Sequence, residues 1–133
     1  MRSLTFLCLL FLFSCSDSEL VDLKNISHGA ELYKNYCSNC HQMDGSGLAQ
    51  LIPPLYQSDY LTENAGALPC IIKNGLKGKI RVGSNSYTLA MPAVRNLSRD
   101  DVKDICVYVL QKFPKTPIVI ADSVLKNTHK NCP

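Results

Sequence analysis

The sequence predicts an all-α domain with one small β-hairpin insertion and a C-terminal extension. The strongest helical signal lies before Pro114, where apolar side chains recur at a period of about 3.6 residues. These side chains are Val102, Ile105, Cys106, Val109 and Phe113. A second helix is predicted over residues 27–40, and alternating side chains over residues 79–89 indicate the hairpin. The length of 133 residues and the 46% apolar composition fit one globular domain.

The N-terminus has the pattern of an export signal followed by a lipid-attachment site. Met1-Arg2 gives a positive start, and residues 4–13 are almost entirely apolar. This run is too short to cross a bilayer as a helix, but it fits a secretory signal. Residues 12–15, Leu-Phe-Ser-Cys, resemble a bacterial lipobox, which implies cleavage after Ser14 and a lipid on Cys15. The alternative is an ordinary signal peptide whose Cys15 happens to lie near the cut.

These patterns divide the chain into four parts. Residues 1–14 are predicted to be a lipoprotein signal peptide, and residues 15–26 a polar tether between lipid and domain. Residues 27–113 are predicted to form the folded domain, with residues 114–133 as an extension packed on it. We therefore expect an exported protein, anchored by lipid to a membrane on the periplasmic side of a bacterial cell.

The helices before the hairpin are delimited by turn residues and a possible cap. Ser27 is the predicted N-cap of the first helix, and residues 42–60 contain glycines and prolines that indicate a loop. A short helix is predicted over residues 61–66. Another is predicted to begin near Leu68, with a proline in its first turn, and to end at Gly75.

The second half of the chain is predicted to contain the hairpin and two further helices. Strands over residues 79–82 and 87–89 flank a turn-rich tetrapeptide. Ser98 and Asp101 resemble a capping box at the start of the strongest helix, with Asp in place of the usual Glu. A short helix is predicted in the extension over residues 121–128.

Cys37-Ser38-Asn39-Cys40-His41 is a C-x-x-C-H sequence, which is the attachment pattern of c-type haem. Cysteines at this spacing lie on one face of a helical turn, so each can form a thioether with one haem vinyl group. His41 follows directly and is carried under the iron as an axial ligand. The predicted cofactor is one covalent haem c per chain.

Other functions fit this sequence less well. A thioredoxin-type C-x-x-C requires a βαβ context, which the predicted elements lack. A zinc site requires a second ligand pair at matching spacing. A chance C-x-x-C-H on a surface does not explain the other features of the chain. The formal charge of +3, without a Lys/Arg cluster, argues against nucleic acid as a partner.

Over residues 26–113 the chain resembles the class I c-type cytochromes. The matching positions are Gly29, Tyr33, the C-x-x-C-H motif, Asp44-Gly45-Ser46-Gly47, Pro53-Pro54-Leu55, Met91-Pro92 and Tyr108. The Gly-Leu-x-Gly-x-Ile-x-Val stretch of residues 75–82, with Tyr87 and Met91, is similar to small lipoprotein cytochromes c of Bacteroidetes-like bacteria. The resemblance implies a cytochrome c-like helical fold around one covalent haem. We expect helices 27–40 and 98–113 to cross and pack in it.

The resemblance also implies roles for residues outside the motif. Gly29 is implied to pack closely against the last helix near Tyr108. The Pro53 carbonyl is implied to accept a hydrogen bond from His41 Nδ1–H, which would orient the imidazole ring. Met91 falls where the family has its sixth iron ligand. The implied haem-binding residues are therefore Cys37, Cys40, His41, Pro53 and Met91, and the implied iron ligands are His41 and Met91.

Three further residues are candidates for the sixth ligand. Met43 lies too close to His41 in the chain to reach the opposite face of a haem easily. His28 at a helix start and His129 in the tail are more typical of solvated surface histidines. Met91 itself is alternatively a core residue followed by a loop-breaking proline.

The implied function is one-electron transfer without substrate chemistry, so we do not expect an enzyme. The expected partners are redox proteins such as an oxidase, a reductase or a respiratory complex, met through small and weak interfaces. The chain is expected to be a monomer that contacts the membrane through the lipid on Cys15. The alternatives are a peroxidase-like or gas-binding haem domain, and an accessory haem subunit of a larger redox complex.

Three cysteines remain outside the motif, the signal and the lipid site. Cys106 lies on the apolar stripe of the strongest helix, where a free cysteine is a small buried hydrophobe. Cys132 lies near the end of a polar tail in an oxidising compartment, and we predict that it bridges to Cys70. The alternatives are a Cys70–Cys106 bridge, or a Cys132 that dimerises or stays free.

Overall fold

The structure is a computed structural model that describes residues 17–121, 123–125, 127 and 132. The predicted signal peptide and Cys15 lie outside these residues. The helices are α1 (Asp17–Tyr36), α2 (Ser38–His41), α3 (Asp59–Glu63), a 3₁₀-helix (Ala65–Ala67), α4 (Leu68–Asn74) and α5 (Arg99–Lys112), and the strands are β1 (Ile80–Val82) and β2 (Asn85–Tyr87). None of the helices in the described part is both long and apolar enough to span a bilayer. The predicted all-α fold with one hairpin is confirmed.

The first helix differs from its prediction at both ends. It begins at Asp17, so Ser27 lies inside the helix and is not its N-cap. Residues 17–26 contain no glycine or proline, so the sequence gives no reason for the helix to begin only at Ser27. The predicted helix over residues 27–40 is also interrupted, because α1 ends at Tyr36 and α2 restarts at Ser38.

Helices α1 and α5 cross with their backbones in close approach at Gly29. A Cβ on Gly29 would lie 2.0 Å from the Asp104 carbonyl oxygen and 2.9 Å from Tyr108 Cβ, so only glycine fits at this crossing. Next to it, the ring of Tyr33 packs against Tyr108 and Phe113, with centroid separations of 5.4 and 5.2 Å. The predicted packing of these two helices, and the close approach at Gly29, are confirmed.

The start of α5 is fixed by the predicted capping box. Ser98 Oγ accepts a hydrogen bond from the Asp101 amide at 3.1 Å, and Asp101 Oδ2 accepts one from the Ser98 amide at 2.9 Å. Asp therefore serves in place of the usual Glu. The helix continues to Lys112, just before Pro114, and its inner face supplies much of the core.

The short helix predicted over residues 61–66 lies slightly earlier, at Asp59–Glu63. It begins there because Ser58 Oγ accepts a hydrogen bond from the Leu61 amide at 3.1 Å, a cap that the sequence analysis did not identify. Helix α4 matches its prediction and ends at Gly75, whose φ of +76° stops the helix.

The hairpin has a shorter turn than predicted. β1 and β2 are joined by Gly83 and Ser84 alone, so the second strand is Asn85–Tyr87 and not residues 87–89. Gly83 has a φ of +59° whereas Ser84 does not have a positive φ, which is the pattern of a type II′ turn. The Asp59 carboxylate accepts hydrogen bonds of 3.0 and 3.1 Å from the Gly83 amide, which ties the hairpin to α3.

The C-terminal extension packs on the domain through main-chain and side-chain contacts. The Ile118 amide donates to the Leu110 carbonyl at 3.0 Å, and Leu125 is buried in the core. Residues 123–125 and 127 are helical, whereas the rest of the predicted helix over 121–128 is either not helical or outside the described residues. Cys70 and Cys132 form a disulfide and Cys106 is free and fully buried, as predicted.

Candidate functional site

The junction between α1 and α2 presents the cysteines and the histidine of the C-x-x-C-H motif. The amides of Cys40 and His41 both donate to the Cys37 carbonyl, at 3.1 and 2.9 Å, so the motif forms one tight helical turn. Upstream, the Cys37 amide donates to the Tyr33 carbonyl at 2.9 Å, which joins this turn to the end of α1. Cys37, Cys40 and His41 therefore lie on one short helical turn at the end of α1, the helix that packs across α5.

The ring of His41 is held by the loop that follows it. Because a carbonyl oxygen only accepts, Nδ1 of His41 carries the proton and donates it to Pro53 O, over a slightly long 3.3 Å. Burial lowers the pKa of His41, and the hydrogen bond to Pro53 opposes this in part. The ring is therefore neutral near pH 7, with the lone pair of Nε2 available to a metal.

Gly47 allows Pro53 to reach His41. The Gly47 amide donates to the His41 carbonyl at 3.0 Å, and its φ is +71°. A Cβ at this position would lie 2.3 Å from the Ile52 carbonyl oxygen and 2.7 Å from that of Pro53. Both contacts are with backbone, so a side chain at position 47 would push the Pro53 carbonyl from its place.

Cys37, Cys40, His41, Pro53 and Met91 all line one cavity of about 230 Å³. The rest of its wall is mainly apolar and comes from the helices, the hairpin and the loops on either side of them. Among these apolar residues are Leu51, Leu61, Ile71, Ile72, Leu89 and Val109. The structure thus brings together every residue that the sequence analysis proposed for the site.

Met91 reaches the cavity on a segment that pairs with the end of α4. Leu76 and Met91 exchange two backbone hydrogen bonds, of 3.0 and 2.9 Å. The Met91 side chain is partly buried against the core. The thioether of Met91 therefore comes from a segment that is distant in sequence from the C-x-x-C-H motif but lines the same cavity.

Two of the other candidate ligands, His28 and Met43, do not line this cavity. His28 is paired with Asp104 at the α1–α5 crossing, where its Nδ1 lies 2.8 Å from Asp104 Oδ2. The Met43 side chain is 52% exposed. His129 lies outside the described residues.

The thiols of the described part differ in their surroundings. Burial raises the pKa of the Cys37 thiol to about 11, and the neighbouring Cys40 adds to this effect. Burial also raises the pKa of Cys106, which lies on α5 and is not part of the cavity wall. Cys106 is fully buried among the apolar side chains of the core, so it is a packing residue.

Some residues shape the cavity without a chemical role of their own, and the sequence does not predict them as site residues. Leu51 and Leu89 line it although their side chains are 58% and 60% exposed, which puts them at its opening. Leu51 lies in a loop without a periodic pattern, and Leu89 is predicted only as part of the second hairpin strand. The sequence identifies Gly47 and Gly75 only as turn and helix-end residues, because their close contacts with the site depend on non-local packing.

The cavity fits a flat, apolar, iron-containing cofactor. Two cysteines and a neutral imidazole lie on one short turn, a thioether lies on a separate segment, and the remaining wall is mostly hydrocarbon. Imidazole with thioether is one of the axial ligand sets that haem iron takes in proteins. The described residues contain no cluster of three or more His, Cys, Asp or Glu side chains that could hold a bare metal ion.

The chain is similar in sequence to known proteins. The sequence model of the family described as Cytochrome c matches residues 26–112. Two relatives, both named cytochrome c-552 and both from Thermus thermophilus, are 27% identical to this chain over 85 residues. The match covers 61% of this chain, and 64% and 57% of the relatives, so the chain spans less than two thirds of their length.

Proposed function

The chain belongs to the cytochrome c family, whose members bind haem c covalently, and we propose that it carries single electrons between redox proteins outside the cytoplasm. One observation carries this proposal: Cys37, Cys40, His41 and Met91 line the same apolar cavity. The C-x-x-C-H motif alone supports haem attachment. The Met91 side chain in the same cavity supports a closed iron site, in which no position on the iron is left open for a small molecule. A closed site favours electron transfer over reactions of a bound small molecule.

Each of these residues has a distinct task in the proposed site. Cys37 and Cys40 would hold the haem through thioether bonds from their sulfurs. His41 Nε2 and Met91 Sδ would ligate its iron, with the His41 ring oriented by Pro53. Bound haem supplies a ferric/ferrous couple, and a thioether ligand favours the ferrous state relative to a second histidine.

The surrounding side chains assist electron transfer by keeping water away. The apolar wall lowers the number of solvent dipoles that must reorient when the charge of the site changes. Leu51 and Leu89 line the cavity and are exposed to solvent at its opening. An electron would therefore have only a short distance to cover between the cavity and the protein surface. No substrate chemistry is proposed, and the partners are other redox proteins met through weak interfaces.

The N-terminal pattern supports a location as well as a function. We propose that Cys15 is the mature N-terminus and carries a lipid, since it follows an apolar signal and a small residue. The lipid would hold the electron carrier at a membrane surface on the periplasmic side. The alternatives remain a peroxidase-like or gas-binding haem domain and an accessory haem subunit.

The proposed function is tested by a potentiometric titration of the purified, haem-loaded protein, followed by exposure of the ferrous form to carbon monoxide. An electron carrier titrates reversibly with one electron, and its ferrous spectrum stays unchanged in carbon monoxide. A spectrum that shifts with carbon monoxide, or steady oxidation of a dye by peroxide, would favour a ligand-binding or peroxidase-like domain. Purification as one stoichiometric complex would favour the accessory subunit.

A further inference from the structure

The segment that carries Met91 is hydrogen-bonded to the C-terminal end of α4. Leu76 exchanges two backbone hydrogen bonds with Met91, and the Val94 amide donates to the Ile72 carbonyl at 2.9 Å. These three bonds lie on either side of Gly75, the residue that ends α4. The position of Met91 relative to the cavity therefore depends on how closely its segment approaches Gly75.

No side chain can be added at Gly75 without moving that segment. A Cβ there would lie 2.5 Å from the Met91 carbonyl oxygen, 2.9 Å from the Ala93 nitrogen and 3.1 Å from the Pro92 carbonyl carbon. All three atoms belong to the backbone, so no side-chain rotation relieves the contact. Because Cβ contacts below 3.0 Å essentially do not occur, the Met91 carbonyl would have to retreat by at least 0.5 Å.

We propose that Gly75 is a positioning residue for the Met91 sulfur, because the absence of a side chain lets the Met91 segment approach α4 closely. The proposal rests on the proposed ligation of iron by Met91. Metal–ligand distances in proteins hold to within about 0.2 Å of their preferred values. A displacement of 0.5 Å at the Met91 backbone is larger than this tolerance, and the part of it that reaches the sulfur would weaken the bond to iron.

The test replaces Gly75 by Ala in the haem-loaded protein and uses Gly83→Ala as a matched control. Gly83 also has a positive φ, of +59°, but a Cβ there would meet nothing within 4 Å. Both substitutions place an L-residue at a positive φ and therefore strain the backbone. Only Gly75→Ala adds a clash with the Met91 segment. Comparison of the two variants therefore separates the effect of backbone strain from the effect of moving that segment.

The readouts report on the iron ligand and not on folding alone. They are the ferric absorption band at the red edge of the visible spectrum that accompanies thioether ligation, the midpoint potential, and binding of carbon monoxide by the ferrous form. We expect Gly75→Ala to lose the band, to have a lower potential and to bind carbon monoxide. Gly83→Ala should behave as the wild type in all three measurements.

A folded Gly75→Ala protein with the full band, an unchanged potential and no carbon monoxide binding would overturn the role of Gly75 alone. Equal losses in Gly75→Ala and Gly83→Ala would overturn it too, because strain would then explain both. If the wild type itself lacks the band, ligation by Met91 is wrong and the role of Gly75 falls with it. Should Gly75→Ala not fold, Gly75→Asn is measured instead, because asparagine is among the non-glycine residues found most often at a positive φ and it still carries the Cβ.

Discussion

His28 on α1 and Asp104 on α5 form a pair across the helix crossing, with Nδ1 and Oδ2 2.8 Å apart. Asp101 also faces the ring, at 3.8 Å from Nε2, and Glu31 lies on the same helix as His28. The other Asp104 oxygen lies 3.1 Å from Lys103 Nζ. The hydrogen bond to Asp104 is the main reason that the pKa of His28 is raised above its ordinary value of 6.5.

This pair makes stability depend on pH with a defined sign. Because the pKa of His28 is higher in the folded state, its stabilising effect is complete below pH 6.5 and is lost as the pH rises through the folded pKa. We expect the difference in unfolding free energy between the wild type and His28→Gln to shrink over that range. Denaturant unfolding of both proteins at several pH values measures it. A difference that is constant with pH would contradict the assignment, since all other titrating groups are shared.

Loss of the capping box should destabilise α5 by a modest amount. Ser98→Ala removes the oxygen that accepts from the Asp101 amide, and such caps are worth about 1 kcal/mol. Thermal or denaturant unfolding of the haem-loaded protein measures the loss. Thr116→Ala changes an exposed hydroxyl in the extension and serves as the control. Equal stabilities of wild type and Ser98→Ala would show that the cap contributes nothing.

The disulfide should stabilise the domain by closing a long loop. Cys70 and Cys132 are 62 residues apart, and closure of such a loop contributes up to about 4 kcal/mol in the chain-entropy model. We expect Cys70→Ser/Cys132→Ser to unfold at a lower temperature. With the haem iron ferrous in all samples, a thiol reductant should lower the midpoint of the wild type toward that of the variant and leave the variant unchanged. A wild type insensitive to reductant, or an unreduced digest that joins Cys106 to another cysteine, would contradict the pairing.

The proposed lipid anchor makes a separate prediction about location. Cys15→Ala removes the sulfur that would carry the lipid, so the protein should leave the membrane fraction and remain haem-loaded. Ser14→Ala keeps a small residue before Cys15 and should stay in the membrane fraction. Fractionation followed by haem detection gives the result. Retention of Cys15→Ala in the membrane fraction would rule out lipid on Cys15 as the anchor.

Most of the fold could be predicted because its strongest signals are local. The apolar period and capping box define α5, and Gly75 marks the end of α4. The start of α1 was predicted too late, because Ser27 is a possible N-cap in the sequence. In the structure the residues before Ser27 are helical as well, so Ser27 lies inside α1. The hairpin turn was predicted too long, since Gly83 alone supplies the required positive φ.

In the candidate site, too, the residues that are neighbours in sequence could be predicted, whereas contacts between distant segments could not. Cys37, Cys40 and His41 form one contiguous motif, so their chemistry could be inferred from spacing alone. The contact of Pro53 with His41 came from resemblance to a family, and the structure contains it. The dependence of Met91 on Gly75 could not be inferred, because it arises from two segments that meet only when the chain folds.

Ligation of the iron by Met91 is tested most directly by Met91→Ala, with Met43→Ala as the matched control. Met43 is 52% exposed and does not line the cavity, so its loss should leave the iron site unchanged. We expect the ferric protein with Met91→Ala to lose the absorption band at the red edge of the visible spectrum. Its potential should fall and its ferrous form should bind carbon monoxide. An unchanged spectrum and no carbon monoxide binding in Met91→Ala would contradict the proposed closed, electron-carrying site.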